Sequence, residues 1–236
     1  MILQLKKIHK KYKDIQVFNN LSLEIKESEI LCIIGPSGCG KSTILNLISG
    51  LIKPDEGELM NKSNKIAYVF QEDRLLPWRT VYKNIKLVDQ YSSKEEVDEL
   101  IADMGLKGFE NKFPHELSGG MRQRCSIARA FNYQSELLLM DEPFKSLDYD
   151  LRKNMLNHLI KLWKKTKNAI VFVTHEIDEA LLLGNRIIVL SDRPTNILKI
   201  FQIDCPQDER KLQDKKFIEI RSEIIDLLAK KKKKGA

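Results

Sequence analysis

Five short apolar runs mark the chain, at residues 30–34, 66–70, 137–140, 169–173 and 187–190. None shows the polar alternation of a half-exposed strand, so each predicts a strand buried on both faces of a parallel sheet. Each run gives way to a polar or glycine-rich segment. In open α/β sheets ligands bind beyond the carboxyl ends of the strands, which makes those segments the place to look for chemistry. Residues 21–26 instead alternate apolar and polar side chains, as in a half-exposed antiparallel strand of a small side sheet.

Between Arg79 and His115 the strand-like runs stop. Ser93 and Glu96 stand at capping-box spacing, Val97, Leu100, Ile101 and Met104 then share one helical face, and Gly105 ends the pattern. This predicts a helical lobe inserted at 79–115. Residues 150–167 predict another amphipathic helix, whose stripe of Leu151, Met155, Leu159 and Trp163 reads as core packing. No internal repeat is present.

Composition narrows the class. The chain has 236 residues, 42% of them hydrophobic, enough for one sizeable core. No apolar run approaches the roughly 20 residues of a membrane-spanning helix, and the start, Met1 to Lys7, alternates at once instead of forming a signal-like stretch. A soluble, cytoplasmic protein is expected. Cys32, Cys39, Cys125 and Cys205 lie too far apart for a zinc site or a disulfide framework. The net charge of +7 would suit nucleic acid or an anionic membrane. Much of that excess is the lysine run 230–234, which has no aromatic residues among its charges and reads as a solvated helix end. Nucleic acid is therefore not an expected partner.

Candidate chemistry begins after the first apolar run. Gly35, Pro36, Ser37, Gly38, Cys39, Gly40, Lys41 and Ser42 fit the phosphate-loop pattern, and they follow a strand and open a helix at Thr43. Glycines let the backbone wrap an anion with its N–H groups, and the helix N-terminus adds positive potential. Lys41 is expected to reach the β- and γ-phosphates, and the Ser42 hydroxyl to bind Mg²⁺. With no Asn-Lys-x-Asp guanine reader, ATP is the expected nucleotide. The same amides are expected to favour the Cys39 thiolate. Further on, Ser118 precedes Gly119 and Gly120 as the cap of a helix whose first N–H groups form a second anion site. A head-to-tail pair of chains lets each site complete the other's.

Residues 117–124, Leu-Ser-Gly-Gly-Met-Arg-Gln-Arg, resemble the signature motif of the ATP-binding cassette (ABC) family, and the likeness covers nearly the whole chain. It implies a P-loop NTPase core, with a mainly parallel sheet flanked by helices, formed by 1–78 and 116–190. A small antiparallel side sheet, the lobe at 79–115 and a C-terminal strand and helix over 191–236 complete a single domain, 1–236. The resemblance places Gly35 to Thr43 as Walker A, Gln71 as the Q-loop glutamine and residues 137–142 as Walker B. Ser146 and Asp148 fall in the D-loop, and His175 is the switch histidine. By that likeness Asp141 holds Mg²⁺, Glu142 orients or deprotonates the attacking water, Gln71 touches Mg²⁺ or that water, and His175 contacts the γ-phosphate. Tyr12 either stacks on adenine or packs in the core. Residues 71–78 are similar to the subfamily importing nitrate, sulfonates and taurine. The apolar groups among residues 74–78 form either a corner of the lobe or a groove for a short helix of a membrane partner.

Implied partners are transmembrane permease subunits, a second copy of the chain and, indirectly, a solute-binding protein, all at the cytoplasmic face of the membrane. An exporter ATPase and a non-transport ABC ATPase stay open as alternatives. The sequence departs from the pattern in a short stretch from Gly57 to Gln71, which implies a reduced side sheet, and in Lys145, where a small residue is common.

Overall fold

The structure is a computed structural model describing residues 1–145 and 147–229; Ser146 of the expected D-loop and the lysine tail, 230–236, lie outside the described residues. The chain divides into two compact units, Met1–Asn64 with Asn168–Ala236, and Lys65–Lys167.

The first unit holds two sheets. In the smaller, β1 (Leu3–Tyr12) pairs antiparallel with β2 (Ile15–Ile25) on one side and β4 (Glu56–Asn61) on the other. The alternation expected at 21–26 is there: Leu21, Leu23 and Ile25 are buried, while Ser22 and Glu24 are exposed. In the larger sheet, β3 (Ile30–Ile34) lies between β7 (Ala169–Thr174) and β8 (Arg186–Leu190), parallel to both. The last strand, β9 (Ile197–Gln202), runs antiparallel to β8. Every residue of β3, β7 and β8 is buried, which is why these strands read as unbroken apolar runs. Helices α1 (Lys41–Ile48), α6 (Ile177–Leu183) and α7 (Lys215–Ala229) pack on these strands. Near the amino ends of β3 and β8, the Arg186 guanidinium grips the buried Glu29 carboxylate through two bonds, of 2.9 and 2.6 Å. Breaking such a buried pair from one side costs about 3–5 kcal/mol.

The second unit pairs β5 (Ile66–Val69) in parallel with β6 (Leu137–Asp141). Helices α2 (Val81–Lys86) and α3 (Lys94–Asp103) pack on the long α4 (Gly119–Asn132), and α5 (Tyr149–Thr166) follows β6. The capping box of α3 forms as expected, with Ser93 Oγ accepting the Glu96 N–H at 3.1 Å and Glu96 Oε2 accepting the Ser93 N–H at 2.6 Å. The segment between β5 and α2 is organised by Asn84, fully buried, which accepts the Leu76 N–H and donates to the carbonyls of Leu76, Arg79 and Thr80. The architecture is α/β, with a small antiparallel sheet beside the parallel strands.

Candidate functional site

β3 ends at Ile34 and the chain turns through Gly35 to Gly40 before α1 begins at Lys41, two residues ahead of the expected start. Gly38 (φ 75°) and Gly40 (φ 111°) take left-handed backbone, and a Cβ on Gly40 would lie 2.7 Å from Val17 Cγ1. Glycine is required at 40 by backbone angle and by space alike. No side chain caps α1. The Lys41 N–H turns to the Cys39 thiol, whereas the amides of Ser42 and Thr43 precede the first helical hydrogen bond, Ile44 N–H to Gly40 O at 3.0 Å, so they stand as donors at the positive end of the helix. A phosphate group fits that cradle. Lys41 is buried, with Nζ donating to the carbonyls of Gly35 and Pro36 at 2.8 and 3.0 Å, while Ser42 is exposed.

The loop is also held from outside its own segment. Thr195, buried in the turn between β8 and β9, donates its hydroxyl to the Cys39 carbonyl and its N–H to Val17 O at 2.8 Å. Cys39 itself corrects an expectation. Its side chain is 1% exposed, and a Cβ on Gly35 would lie 2.8 Å from its sulfur. Burial pushes the thiol pKa up and outweighs the nearby Lys41 ammonium, so Cys39 is a neutral packing group rather than a thiolate.

Two further candidates lie in this unit. Ile34 pairs with Thr174, so Gly35 and His175 leave neighbouring parallel strands at the same level. The His175 side chain is half-exposed, with Nε2 3.7 Å from Glu176 Oε1. Tyr12 ends β1 with 44% of its surface exposed and Lys10 Nζ 5.5 Å from the ring centroid. That exposure removes the core-packing reading.

In the second unit, Val69 pairs with Met140, so Gln71 lies just past the end of β5 while Asp141 closes the adjacent β6 and Glu142 follows it. Asp141 is buried. Burial, reinforced by the Asp141 charge, pushes the Tyr68 phenol up and keeps it neutral. Glu142 takes left-handed backbone, φ 46°, a strain of about 1–3 kcal/mol for a residue with a side chain. Lys145, the departure noted in the sequence, sets its Nζ 2.9 Å from Glu142 Oε2. Of the apolar groups after Gln71, Leu75 is buried and Trp78 is 69% exposed.

Ser118 caps α4, its Oγ accepting the Met121 N–H at 3.3 Å. The two glycines behind it differ. A Cβ on Gly119 would meet only Arg122 Nη2, at 3.8 Å, whereas one on Gly120 would lie 2.9 Å from both Leu147 and Leu151. Gly119 leaves room for an approaching ligand, and Gly120 serves packing. Asp148 caps α5, accepting the Leu151 N–H at 2.8 Å.

Sequence reasoning missed the clasp between Asp73 and α4. Arg122 Nε donates to Asp73 Oδ2 at 2.9 Å and its Nη1 to Leu117 O, while Arg129 donates to the carbonyls of Asp73 and Arg74. The available signal was the spacing of two arginines two turns apart on one helix face.

A glycine-bound cradle at the end of a buried parallel strand, with a lysine folded into it, defines a phosphate-loop nucleotide-binding protein. Residues 18–145 match the ABC transporter family. The chain is 40% identical to the uncharacterized ABC transporter ATP-binding protein MJ0412 of Methanocaldococcus jannaschii, over 91% of this chain and 85% of that one. It is likewise 40% identical to the aliphatic sulfonates import ATP-binding protein SsuB of Bacillus cereus, over 92% and 90%. A solved dimeric structure of a post-hydrolysis state of the ATP-binding cassette MJ0796, bound to ADP and Pi, matches with TM-score 0.73 at 34% identity, over 85% of this chain and 100% of that one. The chain belongs to the ABC transporter ATP-binding family and is an ATPase of that family.

Proposed function

We propose that this subunit hydrolyses Mg-ATP between two copies of itself and so powers the import of a small anion, a sulfonate, taurine or nitrate. The observation that carries the ATP chemistry is the start of α1, where free-standing amides, two left-handed glycines and Lys41 converge. The capped, open start of α4 at Ser118 and Gly119 supplies a second anion-binding terminus, and a head-to-tail pair gives each ATP one terminus of each kind. Ser42, Gln71 and Asp141 carry the oxygen donors that Mg²⁺ takes, and the ion neutralises charge on the β- and γ-phosphates when bound. Glu142 accepts the proton of the attacking water, His175 contacts the γ-phosphate, Asp148 lies beside the partner copy and Tyr12 stacks on adenine.

The solute class rests on the likeness of residues 71–78 to that importer subfamily and on the aliphatic sulfonates import relative. Among the described residues no helix is long and apolar enough to cross a membrane; in this reading permease subunits do so. The exposed Trp78 edge suits the docking of such a permease at the cytoplasmic face, with a solute-binding protein on the far side.

Glu142→Gln tests the hydrolytic reading. Turnover should fall by about 10²–10⁴-fold, the usual loss of general-base help, while ATP still binds. That variant should run as a dimer in ATP and a monomer in ADP on size exclusion, and adding Ser118→Arg should abolish the dimer alone. Unchanged turnover in Glu142→Gln would overturn the assignment. For the solute, deleting the gene should abolish uptake of one labelled anion among sulfonate, taurine and nitrate. Normal uptake of all three removes the importer assignment and leaves the ATPase standing.

A further inference from the structure

α6 starts without a side-chain cap of its own, since its N-cap residue Glu176 makes no such bond. The start is held instead by Thr174, the last residue of β7. Thr174 Oγ1 donates to Glu179 Oε2 at 2.5 Å and itself accepts the Glu176 N–H at 3.0 Å. Thr174 and Glu179 are 2% and 4% exposed. His175 lies between the residues so joined, so one hydroxyl fixes the backbone on both sides of it.

Burying a carboxylate is expensive, and an apolar residue at 179 would pack on the strands beneath α6 without that cost. The acid therefore has another reason to be there. It sits in the first turn of α6, where the helix dipole favours negative charge, and it accepts a charge-assisted bond, stronger and more directional than a neutral one. A satisfied buried network of this kind holds a single geometry.

We propose that Glu179, acting through Thr174, is the positioning residue that aims His175 at the γ-phosphate. The proposal rests on the reading of His175 given above. The role of Glu179 is on the chain: it sets the exit angle from β7, and hence where the imidazole points.

The test uses the full-length protein. ATP turnover, ATP affinity and thermal melting are measured for Glu179→Ala, Glu179→Gln, Thr174→Val and Thr174→Ser, each alone and combined with His175→Ala. Glu179→Ala and Thr174→Val should lower kcat on the order of tenfold or more, as misplacement of a reacting group does, with ATP affinity held within about twofold because the phosphate loop is untouched. Thr174→Ser, which keeps the hydroxyl, should recover most of the rate, and Glu179→Gln, which keeps an acceptor but loses the charge, should recover only part of it. In the His175→Ala background the same changes should shift turnover by less than about twofold, since no ring remains to be aimed. Equal fractional losses in both backgrounds would overturn the proposal and leave Glu179 a general structural residue. A silent Glu179→Ala beside a damaging His175→Ala sinks the positioning role alone. A silent His175→Ala removes the histidine's own role, and this proposal with it. Should Glu179→Ala fail to fold, the near-isosteric Thr174→Val carries the comparison.

Discussion

Lys145 brings an ammonium to 2.9 Å from the carboxylate proposed to accept a proton. Surface ion pairs are worth about 0.2–1 kcal/mol; here Lys145 is half-exposed but the Glu142 side chain only 14% exposed, so releasing Glu142 should alter turnover by about fivefold or more. Lys145→Ala is expected to raise kcat, because a carboxylate relieved of a neighbouring ammonium is the better proton acceptor, and the double variant with Glu142→Gln should stay inactive. Steady-state ATPase assays at saturating Mg-ATP check this; a loss of rate would make Lys145 a helper rather than a restraint. Cysteine reactivity gives a second check. Cys32, Cys39 and Cys125 are buried and Cys205 only partly so; burial pushes the Cys125 thiol to about 12 and the Cys39 thiol above its ordinary value. Maleimide should therefore label Cys205 first, with ATP turnover retained, and mass spectrometry of the labelled peptides reads the order.

Among the elements, α3 and α5 are tied by charge. Asp103 meets Lys161 Nζ at 2.9 Å and Lys165 Nζ at 3.2 Å. Burial alone would raise its pKa, but the two ammonium groups prevail and hold the carboxyl below the usual aspartate range. A group whose folded pKa is lowered stabilises the fold above its unfolded pKa, about 4, and that contribution is lost as pH falls through the folded value. Asp103→Asn should cost about 0.5–1 kcal/mol at pH 7, and the deficit should shrink as pH falls below about 4. Melts at both pH values decide it, and a deficit undiminished in acid would assign the residue to packing. The sequence was most readable at this scale where burial is two-sided, as in β3, β7 and β8, whose continuous apolar runs have no other explanation. It was least readable in β4, which has no buried residue along its length and shows no apolar face to detect. Site residues followed the same rule. The phosphate loop and Ser118 are local motifs, whereas Thr195 meets Cys39 across 156 positions and Arg122 meets Asp73 across 49. No periodicity reports a contact at such separation.

At the scale of the whole molecule, the lysine tail is a useful control. Removing residues 230–236 takes away five lysines and no patterned segment, so hydrolysis by the isolated subunit should be nearly unchanged. Loss of most activity on truncation would reveal a role that charge alone does not suggest. The open start of α4 has a wider consequence. Gly119 is free of close neighbours, so a bulky substitution there should leave the monomer folded and able to load ATP, yet unfit to close over the nucleotide of its partner. Such a subunit is a saboteur rather than an absentee. In a cell making sound and altered copies equally, random pairing leaves only about a quarter of the dimers wholly sound, and the damaged gene behaves as dominant although its product is stable and abundant.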